Sequence, residues 1–342
     1  MPTVVHTRLP RPVKSLFSLL IALVSFGANL SADTVAPFFK PGDVVALVGG
    51  EDMVALAEEG WLETLVTWAQ PKDRIRFRSL AWEGDTVFEQ RRDLNYPTLE
   101  AQLDKIGATV VICEFGKMES LAGKEGVAAF SEAYGRLIDR LNPQGILDLL
   151  NGRRAIRVFL VMKPTWFERP PEGALFQGLP DMTVHNYDLF AYYRTAIPKV
   201  GYKHHASTIA SEADTWPIST TGRYPTRDGI HLAPSGQAKR AAGLAEYLGL
   251  GSRYDLLRAV SNEAAPIGAL RTAIAAKNRM WFHYSRPQNW AFLNGDRTTQ
   301  PSSRDHRDPS KRWFPEEMKQ WLPLIDAKEE EIWSLAAQIK SK

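Results

Sequence analysis

Strand-like and helix-like segments alternate along residues 43–248, and that alternation is the strongest constraint on the fold. Such a chain is expected to form βαβ units, with a parallel sheet covered by helices on both faces. Residues 43–48 are a short β-branched run that enters a glycine pair, Gly49-Gly50. Met53, Leu56, Ala57, Leu62, Leu65, Val66 and Ala69 then recur at helical spacing over residues 53–69, with Gly60 interrupting or dividing the helix. Residues 75–80 read as a second strand and 98–105 as a short helix. Residues 108–114 are the most hydrophobic strand, suited to the middle of a sheet. An amphipathic helix over 127–141, a strand over 156–162, a helix over 184–200, a weak fifth strand over 205–210 and a helix over 235–248 complete the pattern. In such folds the functional groups gather beyond the carboxyl ends of the strands.

The remainder has a different character. Residues 267–284 read as a helix rich in Ala, Arg and Lys, and 315–340 as another with proline in its first turn. Between them, residues 285–312 are polar and carry Pro287, Pro301 and Pro309. Trp290, Phe292 and Leu293 predict that part of this stretch packs, and Arg286, Asn289 and Arg297 are its candidates for reaching a ligand. The expected organisation is residues 1–32 as a leader, 33–250 as the α/β domain, and 251–342 as a helical C-terminal extension with a long polar loop.

The leader reading rests on Arg8, Arg11 and Lys14, the short apolar run over 16–24, and Ser31-Ala32 before Asp33. The run is shorter than the roughly 20 residues of a spanning helix. A cleaved signal peptide is therefore expected, with export to the periplasm or beyond and no stable membrane insertion afterwards. The formal charge is +3, and without those three leader cations the balance is 39 against 39, so no basic surface for nucleic acid is indicated. The single cysteine, Cys113, excludes an intrachain disulfide and a cysteine-based zinc site.

Four blocks at strand ends hold the candidate chemistry: Gly49-Gly50-Glu51-Asp52, Glu83-Gly84-Asp85-Thr86, Phe115-Gly116-Lys117-Met118-Glu119 and Asp228-Gly229-Ile230-His231. Asp228 and His231 stand three apart, so one turn can join carboxylate to imidazole, fixing the ring's tautomer and favouring its charged form. A glycine at position 84 lets the backbone approach a ligand closely and present its N–H.

In order and spacing these blocks resemble those of the SGNH hydrolases, also called the GDSL esterase family, over roughly residues 40–250. Trp82, Asp85, Thr86 and Val87, and the tail residues Lys277-Asn278, Arg286-Pro287-Gln288-Asn289 and Phe314-Pro315-Glu316-Glu317-Met318, resemble an exported bacterial subgroup with a C-terminal extension. The resemblance implies a flavodoxin-like three-layer α/β/α sandwich with about five parallel strands. It also implies a site made of Asp228, His231 and the residue at position 51, with Gly50, Gly84, Met118 and Glu119 at the oxyanion and binding positions.

Two residues depart from the family pattern. Glu51 stands where the nucleophilic serine belongs, and Met118 where an asparagine donor belongs. A carboxylate is a weak nucleophile toward esters and its charge repels an oxyanion; methionine has no donor to offer. Two expectations follow. One is an ester hydrolase, with a carbohydrate ester among its candidate substrates, in which Glu51 and the Asp228–His231 pair activate water. The other is an inactive relative that binds a small-molecule or glycan ester, or a protein. No cofactor is expected: the blocks match no metal-ligand signature, and Gly-Gly-Glu-Asp is neither a dinucleotide fingerprint nor a P-loop.

Overall fold

The computed structural model describes residues 38–142, 156–170, 181–209, 225–261 and 266–341; the expected leader lies outside them. Five parallel strands form one sheet: β1 (Val44–Gly49), β2 (Arg76–Ser79), β3 (Val110–Glu114), β4 (Val158–Met162) and β5 (Ser207–Ile209). Their spatial order is β2-β1-β3-β4-β5, the doubly wound order of flavodoxin-like folds. β3 occupies the centre, and all five of its residues are buried.

Period-two alternation along the strands divides the core into two layers. Val45 and Leu47 of β1, Val110 and Ile112 of β3, and Leu160 and Met162 of β4 face one layer. That layer is completed by α1 (Glu51–Glu59), α2 (Trp61–Ala69), α6 (Pro234–Tyr247) and α7 (Arg253–Ser261). Ala46, Val48, Val111, Cys113, Phe159 and Val161 face the other, under α3 (Leu99–Ile106), α4 (Val127–Leu141) and α5 (Arg194–Lys203). The fold is thus the three-layer sandwich that the alternation implied.

The expected elements shift locally for physical reasons. Gly60 adopts φ +68°, closing α1 and opening α2, so the anticipated helix over 53–69 is two helices. α1 begins at Glu51, immediately after the strand. The helix expected over 184–200 reaches Lys203 and widens to a π-turn over Leu189–Tyr193, a few residues before Pro198, which has no N–H to give. His204 and His205 lie outside β5: His204 caps α5 and its Nδ1 meets Asp139 at 2.8 Å, while His205 turns the chain with φ +57°. The fifth strand is only Ser207–Ile209, and residue 210 lies outside the described residues.

The C-terminal helices pack against the same body. α8 (Pro266–Ser285) and α10 (Trp321–Lys340) share Leu270, Ile274, Ile332, Trp333 and Ala336, with α9 (Trp313–Lys319) between them in sequence. α8 runs beside β2, the first strand of the sheet order. Lys277 donates to the Phe77 carbonyl at 3.3 Å, Trp281 Nε1 to the Ser79 carbonyl at 2.8 Å, and Arg286 to the Ala81 carbonyl. Four residues of helix rise about 6 Å and two of strand about 6.6 Å, so successive α8 side chains meet successive outward carbonyls. The polar stretch 285–312 lies along this surface: Trp290 meets Trp82 and Tyr96 edge to face, and Arg312 donates to the carbonyls of Phe292 and Leu293. No described helix is long and apolar enough to cross a membrane.

Candidate active site

The strand order changes direction between β1 and β3; three of the blocks line one small cavity at the carboxyl ends beside that point, and Lys117 ties the fourth to them. Gly49 ends β1 where no side chain fits. A Cβ there would lie 2.4 Å from the Glu114 carbonyl oxygen and 2.8 Å from Met53 Cγ. Gly50 caps α1, and Glu51 and Asp52 occupy the helix's first turn, where the N-terminal dipole favours negative charge.

These adjacent acids have opposite surroundings. Asp52 points into the protein and accepts from Lys117 Nζ at 3.2 and 3.3 Å and from Thr165 Oγ1 at 2.8 Å. Burial works against its charge, but Lys117 and Arg240 prevail and hold the carboxyl below its usual range. Glu51 is half-buried and makes no ion pair among the described residues; its carboxyl accepts from its own backbone N–H. Burial and the Asp52 charge push its carboxyl above the usual range, opposed by Lys117 and His231. The influence of His231 brings position 51 and the fourth block into one electrostatic neighbourhood.

The fourth block is preformed. Asp228 Oδ2 meets His231 Nδ1 at 2.6 Å, and Oδ1 accepts from the backbone N–H groups of Ile230 and His231 at 3.0 and 2.7 Å. Burial opposes ionisation of Asp228, yet these bonds hold its carboxyl below the usual range. Gly229, at φ +89°, passes so close to the Glu168 carbonyl that a Cβ would sit 2.5 Å from it. Glu168 in turn accepts from the Thr226 N–H and hydroxyl, both at 3.1 Å. Lys117 Nζ also donates to the Ile230 carbonyl at 2.5 Å, fastening this loop to the end of β3.

In the second block, Gly84 is exposed at φ +83° with open space where a side chain would stand. Asp85 turns inward, bonded to Arg92 at 2.6 Å, and burial pushes its carboxyl up to about 6. Glu119 accepts from the N–H groups of Gly116 and Val87, both at 2.8 Å. That carboxylate ties the third block to the second, and as an acceptor it offers no donor to an oxyanion. Met118 is half-buried and joins Gly50, Glu51, Asp85 and Lys117 around a small cavity of about 20 Å³. That is room for about one water.

Sequence reasoning named Glu51, Gly50, Gly84, Met118, Glu119, Asp228 and His231, and all lie at this end of the sheet. It did not single out Lys117, Thr165, Arg240 or Glu114. Arg240 pairs with Glu114 beneath the site, and both are buried. Glu114 has one sequence signal, an acid closing a strand otherwise dense in Val and Ile; Arg240 sits mid-helix and has none. Among the described residues no group of His, Cys, Asp and Glu has the arrangement of a metal site.

No family model and no curated protein matches the chain. Solved structures do show similarity. A carbohydrate acetylesterase from Sinorhizobium meliloti aligns at 12% identity, covering 63% of this chain and 99% of its own, with a TM-score of 0.41. An acetylxylan esterase from Geobacillus stearothermophilus aligns at 12% identity over 61% and 95%, with a TM-score of 0.41. A lipase/acylhydrolase from Enterococcus faecalis aligns at 16% over 60% and 96%, also at 0.41. At these values the likeness assigns no activity and no residue role. Other similar solved structures are described as a putative GDSL-like lipase from Parabacteroides merdae and a putative SGNH hydrolase from Slackia heliotrinireducens.

Proposed function

We propose that the chain is an exported ester hydrolase in which water, rather than a serine, attacks the acyl carbon. The observation that carries this reading is the Asp228–His231 pair, held at 2.6 Å by a carboxylate that also grips two backbone N–H groups. A fixed imidazole of this kind takes up and returns a proton during acyl transfer. Glu51 supplies a second base. Its carboxyl is raised above the usual range by burial and the Asp52 charge and makes no ion pair among the described residues, so it accepts a proton from water more readily than an ordinary glutamate. In this scheme Glu51 holds the water by a hydrogen bond while His231 takes one of its protons, the hydroxide adds to the ester carbonyl, and His231 gives that same proton to the departing alkoxide. The Gly84 N–H faces the developing oxyanion, and Met118 leaves that position one donor short.

The test is hydrolysis of a short acyl ester by the unaltered protein, His231→Ala and Glu51→Gln. Each substitution is expected to lower the rate by at least about 100-fold, as removal of a general base does. Turnover in ¹⁸O-water tests the two roles open to Glu51: a base leaves its carboxylate unlabelled, whereas ¹⁸O in that side chain would show attack by Glu51 itself, through a mixed anhydride that water opens at the glutamyl carbonyl.

A second reading, a binding module without turnover, is favoured by the small cavity. About 20 Å³ beside Glu51 holds a water but no acyl group. Equal rates for the unaltered protein, both variants and buffer would establish it over the first.

A further inference from the structure

A larger cleft opens between α1 and α8, with a cavity of about 690 Å³, within the range of ligand sites. Its walls differ in chemistry. From α8 come Arg271, Ala275, Arg279 and His283, four apart along one ridge, and a second cavity of about 530 Å³ lies against these same residues. Arg271 and Arg279 are separated by about 12 Å of helix rise. From α1 come Glu58 and Glu59, the latter 3.5 Å from Arg271. Arg279 is exposed and makes no ion pair or hydrogen bond among the described residues.

The cleft leads to the candidate active site. Val54 and Glu58, which line it, follow Glu51 by three and seven residues and so continue the same face of α1. Glu83, which precedes Gly84 of the second block, pairs with Arg286 of the cleft at 3.3 Å. Arg286, at the other end, lies 4.6 Å over the Phe282 ring and 5.0 Å over Trp82, the residue that leads into Glu83-Gly84.

We propose that this cleft binds an acidic oligosaccharide, so that the substrate of the proposed hydrolase is an ester of a uronic-acid-type glycan. Guanidinium groups on the α8 ridge recognise carboxylates, and the carboxylates on α1 accept from sugar hydroxyls. A deoxynucleotide chain has no free sugar hydroxyls along its length for Glu58 and Glu59 to accept from; a neutral glycan would leave Arg279 unused. This assignment rests on the hydrolase reading only for the word substrate, since binding is measurable without turnover.

The experiment is calorimetric titration of His231→Ala protein at low salt with trigalacturonate, maltotriose and a single-stranded oligonucleotide. Trigalacturonate is expected to bind at least tenfold more tightly than maltotriose, and added salt to weaken it. Arg279→Glu and Arg279→Gln, at an exposed position, are expected to keep the melting temperature; the first should lower trigalacturonate affinity at least tenfold and the second less. Equal affinity for the two sugars, no binding at millimolar concentration, tighter binding of the oligonucleotide, or indifference to Arg279→Glu would each overturn the proposal. Ester turnover without trigalacturonate binding would remove the glycan assignment and leave the hydrolase. Binding without turnover by the unaltered protein would do the reverse.

Discussion

Replacing Lys117 by methionine tests how the site is held together. Its Nζ is buried and reaches Asp52, Thr165 and the Ile230 carbonyl. Methionine matches the length of the side chain and removes the charge and all of these donors. Breaking a buried ion pair by removing one partner costs about 3–5 kcal/mol. Arg240 and Thr165 remain near Asp52, so the lower end, about 3 kcal/mol, is expected. At 2–4 °C per kcal/mol for domains of 150–250 residues, the melting temperature should fall by roughly 6–12 °C, toward the lower figure for this longer chain. The pH dependence gives the sharper test. In the unaltered protein the Asp52 carboxyl lies below its unfolded value, so its stabilisation is present above that unfolded value and lost as pH falls through the folded one. Without Lys117, burial becomes the larger influence and the folded value rises; acid then neutralises Asp52 and relieves the variant. The difference in melting temperature should therefore shrink between pH 7 and pH 4. Adding Asp52→Asn should recover part of the loss at pH 7, in a double-mutant cycle. A loss below about 1 kcal/mol, or a difference that widens in acid, would refute the argument.

Other substitutions probe separate points. Gly49→Ala forces a Cβ against the Glu114 carbonyl and Met53, and should destabilise by about 1–3 kcal/mol or more in thermal melts. Glu329→Ala leaves the buried Arg78 without its carboxylate and should cost about 3 kcal/mol, read by the same melts. Ester hydrolysis should rise with pH through the elevated Glu51 value, because the base must be ionised, and Glu51→Gln should abolish that rise in a pH–rate profile. Met118→Asn should increase the rate by restoring a donor, up to the hundredfold scale of one oxyanion contact, whereas Met118→Leu should not.

The sequence made the sheet legible because β1, β3 and β4 are short runs dense in Val and other apolar residues that end in glycine or a polar block. Ala108–Glu114 stood out as central through hydrophobicity alone, and β3 is the middle strand. The Asp228–His231 pair was legible because three-residue spacing is a local property. The Lys117–Asp52 bond was not, since its partners are 65 residues apart and neither side chain has a local pattern that announces the other. Glu119 read as a ligand-facing residue, but its carboxylate turns to two backbone N–H groups, a choice set by the left-handed turn at Gly116 and the loop from Val87. His205 was misplaced on a strand because the chain reverses there through a positive φ at a non-glycine residue.

The carbonyls that α8 covers on β2 belong to residues made long before α8 itself. Lys277 follows Phe77 by 200 residues. At a synthesis rate of about 5–20 residues per second, the outer side of β2 waits roughly 10–40 s for the helix that will bond it. Until then it is an open template on which a strand of another chain can pair. The residues of β2 supply an interim safeguard. Arg76 and Arg78 flank Phe77 on this four-residue strand, and their charges discourage pairing with a neighbour. Once α10 arrives, Glu329 bonds both arginines, so the charges that protect the nascent chain become the anchors that fasten its last helix.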